Sequence, residues 1–343
     1  MDPISQGVVG MTASQVVATR KEVLVAGLLG FLSGMAADLD VFIHSTEDPL
    51  LFLEFHRQFT HSIIFIPFGA LICTTFFWFF FKSLSKKQTL PYKRIYLYSF
   101  AGYASHALLD SCTSYGTQLY WPFSNERVAW NTISIIDPLF TIPLILILAV
   151  ATFRRSRNIA IIAASYGLLY LSLGFVQENR ANTAAQLLAS NRGHQPINIT
   201  VKPSFMNLVI WKSVYEHSGR YYVDAIRVLN TNSYFEGSST PVLNIARDLH
   251  WLDGSSQQAR DIERFRWFSA NNLAIDPNDP NRIIDIRYSM LPNRMDGLWG
   301  IILDPAADKT SYVKWSHNPN KQDKRKNITK LWSMLIEQGK VIK

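Results

Sequence analysis

The sequence predicts a polytopic α-helical membrane domain of five or six spans, followed by a small α+β soluble domain with an antiparallel sheet. Three observations lead there. Charged residues make up 17% of the chain, against ~25% in soluble domains, and the shortfall is confined to the residues before about 176. Within that part, several runs approach the ~20 apolar residues that cross a bilayer as a helix. Beyond it the composition becomes ordinary, with runs of β-branched and aromatic residues separated by turn residues. Residues 1–176 therefore read as a membrane-embedded helical domain and 177–343 as an extracytoplasmic α+β domain.

Residues 4–19 are weakly apolar, are broken by Gln6 and Gln15, and are compatible with crossing the membrane, re-entering it or lying on it. Strong apolar runs follow at 23–43, 62–81, 133–153 and 159–176, and a further run at 95–112 is interrupted by His106 and Asp110. Lysine and arginine fix the orientation. Arg20 and Lys21 precede the first strong run; Lys82, Lys86, Lys87, Lys93 and Arg94 separate the second from the third; Arg154, Arg155 and Arg157 separate the last two. The loops at the opposite ends carry only Arg57 and Arg127. Cytoplasmic loops are the ones enriched in basic residues, so the C-terminal domain is expected outside, in the periplasm of a Gram-negative cell. The same asymmetry accounts for the net charge of +8 without nucleic acid, because no basic stripe with interleaved aromatics stands out. The two cysteines, Cys73 and Cys112, allow neither a disulfide framework nor a CxxC metal site. No short apolar stretch leads to a small-residue cleavage site, so the first strong span is expected to act as an uncleaved anchor.

Placed on this map, the ionisable residues gather at one leaflet. Asp38 and Asp40 fall at the outer end of the first strong span, His56 and His61 at the outer start of the second, His106 and Asp110 at the outer end of the third, and Asp137 at the outer start of the fourth. Ionisable groups within spans cost roughly 2.5–3.5 kcal/mol each on insertion scales and are functional candidates by default. His106 and Asp110, four apart, share a helix face. Asp38 and Asp40, two apart, are nearly opposite on a continuous helix, so serving one ion requires the helix to end or unwind there. His56 and His61 are about 140° apart on a helix, which puts His56 on the incoming loop and His61 in the first turn of the span. Imidazole and carboxylate donors together suit zinc best, with manganese or iron as alternatives, and there are enough of them for two ions. Arg57 suits an anionic oxygen such as a phosphoryl group. Thr60 and Ser62 are placed to fix histidine tautomers. The competing readings are a hydrogen-bonded structural cluster and an ion or proton pathway. Asp137, in "IIDP", reads equally well as a helix start with Pro138 in the first turn.

The segments "MDPISQG", "DLDVF", "HRQFTHS", "GYASHALLD" and "DP", in that order, resemble the YdjM-like family of bacterial inner-membrane, metal-dependent hydrolases over roughly residues 1–180. The resemblance implies metal-dependent hydrolysis at a membrane-embedded site, with a histidine–aspartate pattern loosely similar to that of zinc-dependent phospholipase C enzymes. Carried over by motif, the implied ligands are Asp38, Asp40, His56, His61, His106 and Asp110. Gln6 stands where many members have histidine. The shared "MDP" start implies that 4–19 crosses, giving six spans and bringing Asp2 and Gln6 to the outer face.

In the soluble half, "NLVIWKSVYEH" and "RYYVDAIRVLN" flank a hairpin turn at His217-Ser218-Gly219, "NRIIDIRYSML" and "LWGIILDP" read as further strands, and "ITKLWSMLIEQGK" as a closing helix. The stretch "LDGSSQQARDIERFRWFSANN" is expected to be helical through Phe268. His217, Ser218, His250 and Asp253 supply triad residue types but no G-x-S-x-G elbow, and no phosphate loop is present. The domain is expected to cap the membrane site and select its substrate. The reading as a whole is a membrane-bound hydrolase that uses a divalent metal on a phosphoester or lipid ester at the outer face. Asp40 or Asp110 is the expected general base, and Arg57 is expected to hold the substrate anion. The alternative is a non-enzymatic scaffold or carrier. The expected partners are membrane lipids, with no nucleic acid.

Overall fold

The computed structural model describes residues 1–84, 90–317 and 324–342; Lys86 and Lys87 of the basic set lie outside the described residues. The N-terminal part is helical. Helix α1 (Pro3–Val16) starts at an Asp2 cap, whose carboxylate accepts the Ser5 N–H, and has Pro3 in its first turn, where the missing N–H is harmless. Helix α2 (Val23–Ala36) passes into a 3-10 helix at Ala37–Phe42. The short α3 (Leu51–Phe55) and two single 3-10 turns, Phe59–His61 and Ile63–Phe65, lead into α4 (Ile66–Leu84). Then come α5 (Tyr92–Cys112), α6 (Pro138–Arg154) and α7 (Arg157–Asn191).

The helix pairings set the directions. Gly10 meets Gly30, while the Gln6 carbonyl faces Gly34, so α1 and α2 are antiparallel. Glu22 pairs with Tyr98 and Gly34 with His106, so α2 and α5 run together. Gly69 meets Tyr103 and Thr75 meets Tyr92, so α4 opposes α5. Ser5 pairs with Thr141 and Gln15 with Thr152, so α6 follows α1, while Tyr170 on α7 returns to Asp137 at the start of α6. The starts of α1, α4 and α6 therefore lie at the same end of the bundle as the ends of α2 and α5. The closest approach is at Gly30, where a Cβ would lie 2.1 Å from Ser14 Oγ and 2.4 Å from the Gly10 carbonyl oxygen. A Cβ on Gly102 would lie 2.5 Å from the Gly30 carbonyl oxygen. Only backbones without side chains can cross at this distance.

Among the described residues three stretches, Val23–Phe42, Ile63–Ser83 and Arg157–Asn191, are long and apolar enough to cross a membrane, and Pro138–Arg154 is apolar but shorter. Where the sequence suggested an apolar span ending at 176, α7 is one continuous helix of 35 residues. Nothing between Val176 and Asn179 breaks helix geometry, so the polar stretch simply continues the apolar one. The run at 133–153 becomes helical at Pro138, because Asp137 caps it by accepting the N–H groups of Leu139 and Phe140.

The chain divides into two units: Met1–Ile43, Phe55–Phe175 and Phe205–Asn207 form one, and His44–Glu54, Val176–Ser204 and Leu208–Lys343 form the other. The second unit is built on antiparallel strands β1 (Ile197–Pro203), β2 (Ile210–His217), β3 (Arg220–Arg227), β4 (Ser233–Pro241), β5 (Leu273–Asp276), β6 (Asp279–Asp285), β7 (Trp299–Ile302), β8 (Lys314–His317) and β9 (Lys340–Val341). Helices α8 (Ile245–Asp248), α9 (Gln257–Phe268) and α10 (Lys324–Ile336) complete it. The β2–β3 hairpin turns at Ser218 and Gly219, with φ of 50° and 71°, the two left-handed residues of a tight hairpin loop. The single sheet expected from sequence is two, ordered β1-β2-β3-β4-β9 and β5-β6-β7-β8. After β4, α8 and α9 intervene; β5 to β8 then pair among themselves, and β9 returns to the edge at β4. The sheets share a core in which Val214, Tyr221 and Val223 pack with Ala274, Ile284 and Ile286.

Candidate metal centre

The helix ends that meet in the bundle carry its buried ionisable groups. Asp38 and Asp40 lie on the 3-10 segment, His56 and Arg57 in the turn after α3, His61 at the close of its own 3-10 turn, and His106 and Asp110 in the last two turns of α5. The tightening of α2 into 3-10 geometry brings Asp38 and Asp40 to about 120° apart at three residues per turn, so both face the same region. His61 is not in the first turn of α4, as its spacing suggested. Ser62 is extended, with ψ 146°, and breaks the chain into two short turns ahead of the helix.

Four side chains converge on one point. Asp38, His61, His106 and Asp110 each offer a ligand atom, all within 4.8 Å of one another. His61 Nε2 is 3.4 Å from Asp38 Oδ1 and 3.3 Å from Asp110 Oδ2, and His106 Nε2 is 3.3 Å and 3.5 Å from the same oxygens. A tetrahedral site with bonds near 2.0–2.1 Å has edges of about 3.3 Å. The Nε2–Nε2 edge is shorter, at 2.9 Å. His61, His106 and Asp110 are fully buried.

The hydrogen bonds behind the rings decide their tautomers. His106 Nδ1 lies 2.5 Å from the Gly34 carbonyl oxygen, which can only accept, so Nδ1 carries the proton. Thr60 donates its hydroxyl to Asp40 Oδ2 at 2.7 Å, so it accepts from His61 Nδ1 at 2.9 Å. In neutral rings both Nε2 atoms then present lone pairs to each other at 2.9 Å, whereas in an imidazolium one of them carries a proton. Asp38 Oδ1 and Asp110 Oδ2, also buried, accept no hydrogen bond of good geometry, and Asp110 Oδ2 is ion-paired with Arg57 Nε at 3.0 Å. Two imidazole nitrogens and two carboxylate oxygens this close need positive charge among them, from a metal ion or a proton on an imidazole. The residues present fit a divalent ion.

Around this core the remaining groups take distinct places. Asp40 hydrogen-bonds His56 Nδ1 at 2.7 Å and accepts the Arg57 N–H at 2.9 Å. Asp38, Asp40 and His56 form a second group able to hold an ion, sharing Asp38 with the first. Burial holds the His56 imidazole below its ordinary range, against the pull of the Asp40 carboxylate beside it. Arg57 is buried with a left-handed backbone (φ 64°); its Nε is 3.0 Å from Asp110 Oδ2, its Nη1 donates to Thr113 Oγ1 at 3.1 Å, and its guanidinium lies over the Tyr115 ring. Thr60 meets a histidine, as its position suggested. Ser62 does not, because its hydroxyl turns back to the Phe59 carbonyl. Asp137 caps α6 and accepts from Tyr170. Sequence spacing missed Gln6, which donates to Asp110 Oδ1 at 2.6 Å, the Met1 nitrogen, which pairs with the same oxygen, and Tyr103, which donates to the Thr60 carbonyl. For Gln6, the available signal was the "MDP" start, which the resemblance placed at the outer face.

No solved structure matches the chain. The uncharacterized protein YfhP of Bacillus subtilis (strain 168) is 28% identical over 116 residues, 34% of this chain. The matched region spans 32% of that protein's own length. The model of the family described as YdjM inner membrane protein matches residues 1–181, the part that holds the whole cluster. A match across more than half of the chain, together with apolar helices long enough to cross a bilayer, places this membrane protein in the YdjM inner membrane protein family.

Proposed function

We propose that this protein is a multi-pass, metal-dependent hydrolase working at the outer, periplasmic face of the inner membrane on a phosphoester or lipid ester. The observation that carries the reading is the convergence of His61 Nε2, His106 Nε2, Asp38 Oδ1 and Asp110 Oδ2 at metal-ligand spacing. A divalent ion, zinc by the donor set with manganese or iron as alternatives, supplies Lewis acidity there, lowering the pKa of water to roughly 7 and polarising an ester oxygen.

The chain's own groups divide the remaining work. Asp110 is held by Gln6, the Met1 nitrogen and Arg57, which suits it to binding more than to proton transfer. Asp40 acts through His56: it fixes the Nδ1 side and leaves Nε2 to accept and return a proton. The His56 side chain is 19% exposed and that of Asp38 21%, against none for the other ligands, so substrate approaches from their side. Arg57, already aimed at the ligand set, steadies negative charge on the ester.

Six crossings, by α1, α2, α4, α5, α6 and α7, are supported by the alternation of helix directions. The cluster is at one end of the bundle, and Arg20, Lys82, Lys93, Arg94, Arg154, Arg155 and Arg157 belong to the other ends of the same helices. The same basic asymmetry supports a periplasmic position for the C-terminal domain. The rival reading, a scaffold or carrier, expects polar groups through the depth of the bundle or a cluster indifferent to metal.

Metal analysis of detergent-purified protein tests the proposal. One or two equivalents of zinc, manganese or iron are expected in the wild type and none in an inserted His61→Ala/His106→Ala variant. Loss of phosphoester or lipid-ester turnover should accompany loss of metal. Wild-type protein that holds no metal and takes none up on titration would overturn the reading.

A further inference from the structure

At the end of the bundle away from the cluster, four arginines from three chain segments line one cavity of about 600 Å³: Arg20 between α1 and α2, Arg154 and Arg155 at the end of α6, and Arg157 at the start of α7. Among the described residues the one carboxylate at this end is Glu22, and it is engaged by Thr19, Tyr98 and Arg94. Arg157 is fixed by its Nε, which donates to the Val16 carbonyl at 2.6 Å. Arg155 ends α6 in the left-handed region (φ 48°, ψ 48°), where glycine is the inexpensive residue. The positive-inside rule explains basic residues on this side. It does not explain their convergence, uncompensated, on a single cavity.

A second feature lies between the same three helices. Val9 and Ala13 of α1, Leu144 of α6, and Ala163, Gly167 and Leu168 of α7 line an apolar groove of about 200 Å³. A Cβ built on Gly167 would meet nothing nearer than 3.8 Å, so the groove is open there. At 1.5 Å per residue, Ala163 to Gly167 lies roughly 9–15 Å along α7 from Arg157. That is deeper in the hydrocarbon, where an apolar groove is filled by apolar chains and not by water.

We propose that the cavity and the groove together hold one anionic glycerophospholipid, its phosphate between Arg20, Arg154, Arg155 and Arg157 and one acyl chain between α1, α6 and α7. Guanidinium forks match phosphate oxygens in pairs, and basic pockets between membrane helices are suited to anionic headgroups. The groove favours a lipid over a free phosphate, since a soluble anion would have no use for it. This site depends on the bundle being in the membrane and not on the hydrolase reading.

The test uses the full chain reconstituted in vesicles of equal phosphatidylglycerol and phosphatidylcholine, followed by native mass spectrometry of lipid retained after mild extraction. Wild type should retain phosphatidylglycerol over phosphatidylcholine by roughly tenfold, and Arg155→Gln/Arg157→Gln should bring that ratio close to one. Most basic residues of that side remain in this variant, so orientation is preserved. Gly167→Leu, which fills the groove, should reduce retention of both lipids while the protein stays inserted. Equal retention by wild type, or an unchanged ratio in the arginine variant, overturns the proposal. So does arginine-dependent binding of inorganic pyrophosphate in detergent with lipid retention unaffected by Gly167→Leu, which would make the cavity a site for soluble phosphate.

Discussion

A histidine ligand is only as good as the hydrogen bond behind it. His106 is oriented by a main-chain carbonyl, which no side-chain substitution removes, whereas His61 Nδ1 is met by the Thr60 hydroxyl at 2.9 Å and, less closely, by Asp40 Oδ2 at 3.2 Å. Thr60→Val keeps the shape and deletes the nearer partner, weakening the hold on the Nδ1 proton. Metal affinity should fall by about 10–100-fold, the range for losing such a partner, and Thr60→Ser should restore most of it. Competition with a chelator of known affinity measures both. Equal affinity in the valine and serine variants would mean that Thr60 does not set the tautomer.

At the scale of elements, the short α3 is the piece that delivers His56 and Arg57. It belongs to the C-terminal unit through His44–Glu54. Arg264 on α9 holds this segment with a two-toothed pair to Asp48 at 2.7 and 3.0 Å and a further contact with Glu54 at 2.5 Å, while Asp261 braces the same guanidinium. Phe52 packs edge-on against Trp315, and Leu50 and Leu53 are buried. Arg264→Ala should loosen the segment: charged hydrogen bonds contribute about 1.5–3 kcal/mol when shielded and less when exposed, and this guanidinium is only partly buried. Amide hydrogen exchange at Leu51 and Leu53 should accelerate by roughly tenfold or more. Exchange at the wild-type rate would show that the segment is held by its apolar contacts alone.

For the molecule as a whole, two buried lysines tie stability to pH. In the C-terminal unit Lys212 is buried on β2, donating to Ser289 Oγ and the Arg294 carbonyl, and burial pushes its pKa down to about 7. Burial also holds Lys202 on β1 well below the lysine range. The unfolded chain binds protons on these lysines up to about pH 10, and the folded chain refuses Lys212's proton above about 7. The unfolded state therefore binds more protons between those limits, and stability rises with pH across the window, by up to ~1.4 kcal/mol per unit for one group. Tryptophan-monitored unfolding of the full chain in detergent should show this rise between pH 7 and 10, and Lys212→Met should flatten it. A fall in stability over that range would mean that Lys212 is charged in the folded protein.

Local rules made the membrane half legible: apolar run length, the clustering of lysine and arginine, the two-residue spacing of Asp38 and Asp40 that demands a broken helix, and Asp137-Pro138 as a helix start. They also located the β2–β3 turn and α9, whose signals lie within a few residues. Run length by itself does not decide the number of crossings, because α1 and α5 carry too many polar residues to announce themselves as spans. The tertiary structure decided what distance along the chain conceals. Gln6, Gly34 and Tyr103 meet the site residues across long stretches of sequence, and His61 owes its position to an extended Ser62 and not to helix periodicity. The division of the strands into two sheets depends on which edges pair after α8 and α9. The gathering of Arg20 with Arg154, Arg155 and Arg157 depends on α1, α6 and α7 closing side by side. Helix periodicity and charge asymmetry act between near neighbours and can be read from sequence. Tautomers, orphan lone pairs and uncompensated charge are set by what the folded chain brings to a single point.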